Sequence, residues 1–161
     1  MTKIVFLCGK ICSGKTTLAR RLLAEGGAVL LSCDEVADMI FHKDLGERHD
    51  SVMEDVKRYL HKKAADVLAA GCDVILDWGF WKSAERAALK KQYDLPGVEQ
   101  VWYYIDVEDS RWLRNIEMRN ADVLAGKSTD YFVDEGLKRK LLANFEPPTP
   151  EEIDIWHRVN G

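Results

Sequence analysis

Eight residues near the start of the chain, Gly9-Lys10-Ile11-Cys12-Ser13-Gly14-Lys15-Thr16, meet the pattern G-x-x-x-x-G-K-[ST] at every fixed position. The glycines let successive backbone N–H groups curl around an anion, and a helix beginning here adds the positive end of its dipole. Lys15 would reach the β- and γ-phosphates of a nucleoside triphosphate and the Thr16 hydroxyl would take a Mg²⁺ position, with Cys12, Ser13, Gly14 and Thr17 completing the cradle. A plain strand–turn–helix is the alternative. The flanks favour nucleotide: the apolar run Ile4 to Cys8 precedes the loop and an amphipathic segment from Thr17 to Leu23 follows it.

Transfer of a phosphoryl group to a hydroxyl also needs a carboxylate that receives the hydroxyl proton. Asp34 follows the apolar run Ala28 to Ser32 and is the candidate base; such a base contributes about 10²–10⁴-fold in rate. It could instead cap the short helix after it. Asp77 and Asp106 end two further apolar runs, so three carboxylates are expected at one rim. Asp77 would orient Mg²⁺ through water or simply bond the loop. Arg119 would offset charge on the transferred group, or complement a helix C-terminus as an exposed cation. Arg86 would grip an anionic part of the substrate or form a surface ion pair. Trp78, Phe80 and Trp81 crowd one strand end, so at least one of them is expected to wall a substrate pocket, the rest packing in the core.

Apolar runs of strand type at 4–8, 28–32, 72–77, 101–107 and 153–159 are separated by helical patterns. That alternation predicts an α/β fold, a P-loop NTPase-type parallel sheet of five strands with helices on both faces and ligands outside the strands' carboxyl ends. Ser51-Val52-Met53-Glu54 reads as a capping box opening a long helix that ends at Gly71. Its outward Lys57, Arg58, Lys62 and Lys63 read as a solvated face, with nucleic-acid contact the lesser alternative. Asp109-Ser110 opens a helix through Arg119, and residues 120–130, small and polar, are expected to form a mobile lid. Val133, Leu137, Leu141 and Phe145 share one face of the last helix. Pro147 to Pro150 bars further helix.

The chain of 161 residues, 47% hydrophobic and 31% charged, suffices for one domain spanning 1–161. Its net charge of −4 argues against a duplex nucleic-acid partner. No apolar run approaches a membrane span, and a soluble, cytoplasmic protein is expected. Cys8, Cys12, Cys33 and Cys72 make no C-x-x-C pair, so a zinc site is not expected. Cys12, inside an anion-binding loop, is the thiol expected to be acidified. The loop by itself does not separate kinase, motor and GTPase. An N-K-x-D motif for guanine is absent, Asp94-Leu95-Pro96-Gly97 lies too far past the third strand to serve a GTPase, and there is little room for motor domains.

Nearly the whole chain resembles the small P-loop kinases grouped with zeta toxins, chloramphenicol phosphotransferase and the kinase domain of bacteriophage polynucleotide 5′-kinase. The resemblance rests on the Gly9 to Thr16 loop, Leu31-Ser32-Cys33-Asp34, Val74 to Trp81 with Glu85-Arg86, Arg114, Arg119-Asn120 and Phe145-Glu146-Pro147-Pro148. It implies ATP, Mg²⁺ and transfer to a hydroxyl-bearing small-molecule or nucleotide-like acceptor. By position Asp34 matches the base and Arg119 the lid arginine. Arg114 stands near the second arginine, at a spacing one residue longer than in the polynucleotide kinase. A 5′-hydroxyl polynucleotide kinase and a non-catalytic ATP switch are the alternatives.

Overall fold

The computed structural model describes all 161 residues. The elements follow as β1 (Thr2–Cys8), α1 (Lys15–Ala24), β2 (Ala28–Leu31), α2 (Cys33–Met39), α3 (His49–Ala69), β3 (Asp73–Gly79), α4 (Ser83–Gln92), β4 (Val98–Val107), α5 (Asp109–Leu124), α6 (Glu135–Asn144) and β5 (Ile155–Val159). The strands form one sheet in the order β2-β3-β1-β4-β5, every neighbouring pair parallel. Because β1 and β3 are central, covered on both faces, their side chains are apolar almost continuously rather than alternately.

Alternate residues of β1 serve opposite faces of the sheet. Ile4, Phe6 and Cys8 pack with Ala64 and Leu68 of α3, Leu89 of α4, and Trp102 and Tyr104. Leu7 packs with Leu18 and Ala19 of α1, Ile75 and Ile105 on the other face. Phe6 lies flat against Trp102, ring centroids 4.0 Å apart, with Phe80 and Tyr93 edge-on around it. Truncating such a buried aromatic costs about 3–5 kcal/mol.

Several boundaries differ from expectation. The long helix starts at His49 rather than at a Ser51 cap, because a 3₁₀ turn, Gly46–Arg48, runs straight into it; the Ser51 hydroxyl donates back to the Arg48 carbonyl. The last helix spans only Glu135–Asn144, capped by the Asp134 carboxylate, which accepts from the Leu137 N–H, so Val133 is buried just before it and Phe145 follows it. The 120–130 lid also shrinks. α5 continues to Leu124, and Gly126 at φ 70° ends it, leaving the connection 125–134. No helix is long and apolar enough to cross a membrane.

Candidate active site

The chain leaves β1 at its carboxyl end, where the order of strands reverses, and forms the Gly9–Gly14 loop there. Cys12 at φ 57° and Gly14 at φ 104° curl the loop; the second value suits glycine, which tops α1 without a side-chain cap. Gly79 fills a related need across the sheet. Its carbonyl accepts from the Gly9 N–H at 3.1 Å, and an added Cβ would meet the Trp81 indole at 2.6 Å. The Ser13 side chain is 1% exposed and its hydroxyl has no hydrogen-bond partner.

A cleft of about 530 Å³ opens over this loop. Lys15, Thr16, Thr17, Asp34, Asp77 and Arg119 all line it, together with Cys12, Ser13 and Gly14. The Lys15 ammonium donates to the Gly9 carbonyl at 3.0 Å and the Lys10 carbonyl at 2.5 Å, so it is folded over its own loop. Burial lowers its pKa to about 8, opposed by the charges of Asp34 and Asp77. Burial also raises Asp77 to about 6, Asp34 adding to the shift and Lys15 and Ser32 opposing it. Lys15 and Asp77, both half-buried, and the exposed Asp34 line one cleft and act on one another's charge.

Asp34 sits in the first turn of α2, but the cap is Ser32, whose hydroxyl accepts from the Glu35 N–H at 3.3 Å. The Asp34 carboxylate is therefore not consumed in capping. Asp106 is not at this rim. It accepts from the Trp156 indole at 2.9 Å and pairs with Arg158 on β5 at 3.4 Å. Arg119 reaches the cleft from α5 and meets Asp130 of the 125–134 connection at 3.7 Å.

Arg114 requires correction. It is exposed and does not line the cleft, because five residues from Arg119 is well off a whole number of helical turns. Arg111, Asn115 and Arg119, spaced by four, share the cleft face, so Arg111 is the second α5 arginine in a cleft that Arg21 of α1 also lines.

Arg86 is also elsewhere. Its side chain is 1% exposed, pairs with Glu152 at 2.9 Å and donates to the carbonyls of Phe80 and Glu146. It fastens the 145–152 segment to α4, an interaction that cannot be reached by an acceptor in the cleft.

The aromatic run closes the core rather than walling this cleft. Trp78 packs with Phe80 and against the His61 ring, and Trp81 joins Val107 and Trp112. β3 runs two residues beyond the expected end, and Phe80 at φ 50° turns the chain back, carrying Trp81 over Gly79. The Cys12 thiol is not acidified: burial pushes it up, and Arg119 and Lys15 draw it only partly back.

α5 supplies two contacts that the motif does not reveal. The Trp112 indole donates to the Ile11 carbonyl at 2.7 Å and the Asn115 amide to the Cys12 carbonyl at 2.9 Å. They hold loop carbonyls outward, leaving the N–H groups to the cleft. The only sequence signal was the one-face spacing of Arg111, Asn115 and Arg119.

For Mg²⁺ the available donors are the Thr16 hydroxyl and the carboxylates of Asp34 and Asp77, hard oxygens that suit the ion. No cluster of three or more acidic, histidine or cysteine side chains could cage a metal.

Comparison with known families finds one model, described as an AAA domain, matching residues 4–148. A comparison with curated proteins finds no match. Among solved structures, a candidate kinase from Chloroflexus aurantiacus superposes with TM-score 0.73 at 19% identity, covering 99% of this chain and 88% of its own. A sugar kinase from a Janibacter species gives 0.62 at 20%, covering 99% and 86%. The APS kinase CysC of Mycobacterium tuberculosis, in complex with AMPPNP and APS, gives 0.59 at 22%, covering 99% and 88%. With most of its length inside the family model and a five-stranded parallel sheet built around a phosphate-binding loop, the chain belongs to this AAA-domain family and has the fold of the small P-loop kinases.

Proposed function

We propose that the protein is an ATP-dependent kinase that transfers the γ-phosphate to a hydroxyl of a small-molecule acceptor. The observation that carries the reading is the convergence of Lys15, Thr16, Asp34, Asp77 and Arg119 on one cleft at the strands' carboxyl ends. A nucleotide-binding switch also uses one carboxylate, to hold Mg²⁺; the second one in this cleft favours transfer to an acceptor.

In this reading the triphosphate lies in the Gly9–Thr16 cradle, and Lys15 exchanges the carbonyls of Gly9 and Lys10 for phosphate oxygens. The acceptor hydroxyl enters beside Asp34. As its oxygen bonds to the γ-phosphorus, its proton passes to the Asp34 carboxylate, the bond to the bridging oxygen breaks and ADP leaves with that electron pair. Arg119 leaves Asp130 to meet charge on the transferred group. The Thr16 hydroxyl and, through water, the Asp77 carboxylate would hold a Mg²⁺ ion, which would offset phosphate charge during transfer. The kinases among the solved structures and the APS kinase's AMPPNP complex support nucleotide chemistry on this fold.

The test is transfer of labelled γ-phosphate from ATP with Mg²⁺ to a panel of hydroxyl compounds, with Asp34→Asn as control. A labelled acceptor lost in the mutant supports the reading. Free phosphate alone, at the same rate in mutant and parent, overturns it in favour of a switch.

A further inference from the structure

Arg119 is held by a carboxylate at a point where a phosphate would compete for it. Its charge acts on Lys15 and on the Cys12 thiol, which places it beside the phosphate-binding loop, and it pairs with Asp130 at 3.7 Å. Asp130 serves a second cation as well. One of its oxygens meets Arg119 and the other meets Lys43 at 3.6 Å.

The two cations differ in how firmly they are kept. The Lys43 side chain is 12% exposed, its ammonium donates to the Thr129 carbonyl at 2.7 Å, and it lies 5.0 Å from the centre of the Tyr131 ring. Its backbone N–H donates to the Ala37 carbonyl of α2 at 2.8 Å. Arg119 has Asp130 as its one ion-pair partner. The 125–134 connection has a further tie that needs neither cation, since the Thr129 hydroxyl donates to the Asp38 carboxylate at 2.9 Å. Asp38 stands one turn beyond Asp34 on α2, so this tie fastens the connection to the helix that carries the candidate base.

We propose that Asp130 is a positioning residue shared by Arg119 and Lys43, and that a γ-phosphate takes Arg119 from it while Lys43 keeps it. The connection then stays fastened to α2 as the arginine turns to the phosphate. The inference rests on the reading in which Arg119 meets the transferred group. The exchange is balanced in charge: Arg119 passes from one anion to another, and the carboxylate that it leaves retains a cation. Without Lys43, the departure of Arg119 would leave Asp130, which lines the cleft, facing the negative charge of the triphosphate unpaired. Lys43 therefore favours the exchange and Asp130 opposes it.

The test is calorimetric titration with AMPPNP and with ADP, both with Mg²⁺, of the parent and of Asp130→Asn, Lys43→Met and Lys43→Arg, each also combined with Arg119→Met. No acceptor is needed, so the outcome is independent of the transfer assay. The readout is the ratio of the ADP to the AMPPNP dissociation constant, which isolates the γ-phosphate. Ion pairs this exposed are weak, so the ratio is expected to rise about 2- to 5-fold in Asp130→Asn and to fall by about the same factor in Lys43→Met. Lys43→Arg restores it, and in the Arg119→Met background neither substitution moves it. Shifts of the same size in that background come from the field of the removed charge and overturn the exchange, leaving the kinase reading standing. Shifts of one sign in both variants, or no shift in either, overturn it in the same way. A ratio that Arg119→Met by itself leaves unaltered removes Arg119 from the phosphate and overturns both this inference and that arginine's part in the kinase reading.

Discussion

Arg86→Met separates the structural role of this residue from a substrate role. The guanidinium is 1% exposed and makes four hydrogen bonds: to both Glu152 oxygens at 2.9 and 3.5 Å, to the Phe80 carbonyl at 2.9 Å and to the Glu146 carbonyl at 3.0 Å. Methionine fills much of the volume but leaves two carbonyls and a carboxylate without their donor. Breaking a buried pair from one side costs about 3–5 kcal/mol. In a domain of this size each kcal/mol moves Tm by about 2–4 °C, so a fall of about 6–20 °C is expected. Urea denaturation should show a lower midpoint with unchanged slope, the sign of lost stability rather than a changed denatured state. Arg86→Met with Glu152→Met should regain part of the loss, since removing both charges leaves no unpaired carboxylate. Nucleotide affinity of the folded mutant should match the parent. A mutant as stable as the parent but with a raised acceptor KM would refute the reasoning and return Arg86 to the substrate.

Asp77→Asn is expected to raise stability while lowering transfer. The folded state holds this carboxyl near 6 against an ordinary value of 3.8 and so favours its protonated form. That preference is fully present below 3.8 and is lost as pH rises through 6, leaving a penalty of about 1–3 kcal/mol at neutral pH. The mutant should therefore melt higher at pH 7.5, with the gap closing toward pH 4; equal melting at pH 7.5 would contradict the burial argument. Arg111→Ala should raise the KM for ATP severalfold and Arg114→Ala should leave it unchanged, read by steady-state kinetics; the reverse order would put the opposite face of α5 on the nucleotide. Trp112→Phe, which keeps the ring but loses the donor to Ile11, should weaken ATP binding about 5- to 10-fold in calorimetry while costing about 1 kcal/mol of stability.

The order and type of the elements were legible because apolar periodicity and punctuation are local. Five strand runs, the helices between them and the Gly9–Thr16 loop are written in neighbouring residues, and parallel pairing follows from strands joined by helices. Asp34 and Asp77 were likewise legible, since β2 and β3 end on one side of the Gly9–Thr16 loop and bring them to the cleft, whereas Asp106, near the end of β4 on the other side, does not line it. Arg114 was misread because a motif counts residues whereas a helix counts turns. Arg86 and Asp106 look the same in sequence whether they face a ligand or a protein partner. Only the packing of the 145–152 segment and β5 supplied Glu152, Trp156 and Arg158, which lie 50 or more residues away along the chain. The aromatic run was ambiguous for a similar reason, since one left-handed turn at Phe80 decides which side of the sheet end Trp81 covers. The sequence by itself determined the phosphate cradle and the strand ends that face it, because each is set by backbone conformation within a few residues. Tertiary structure decided which cations remain free for a ligand, because an ion pair depends on what folding brings opposite each charge.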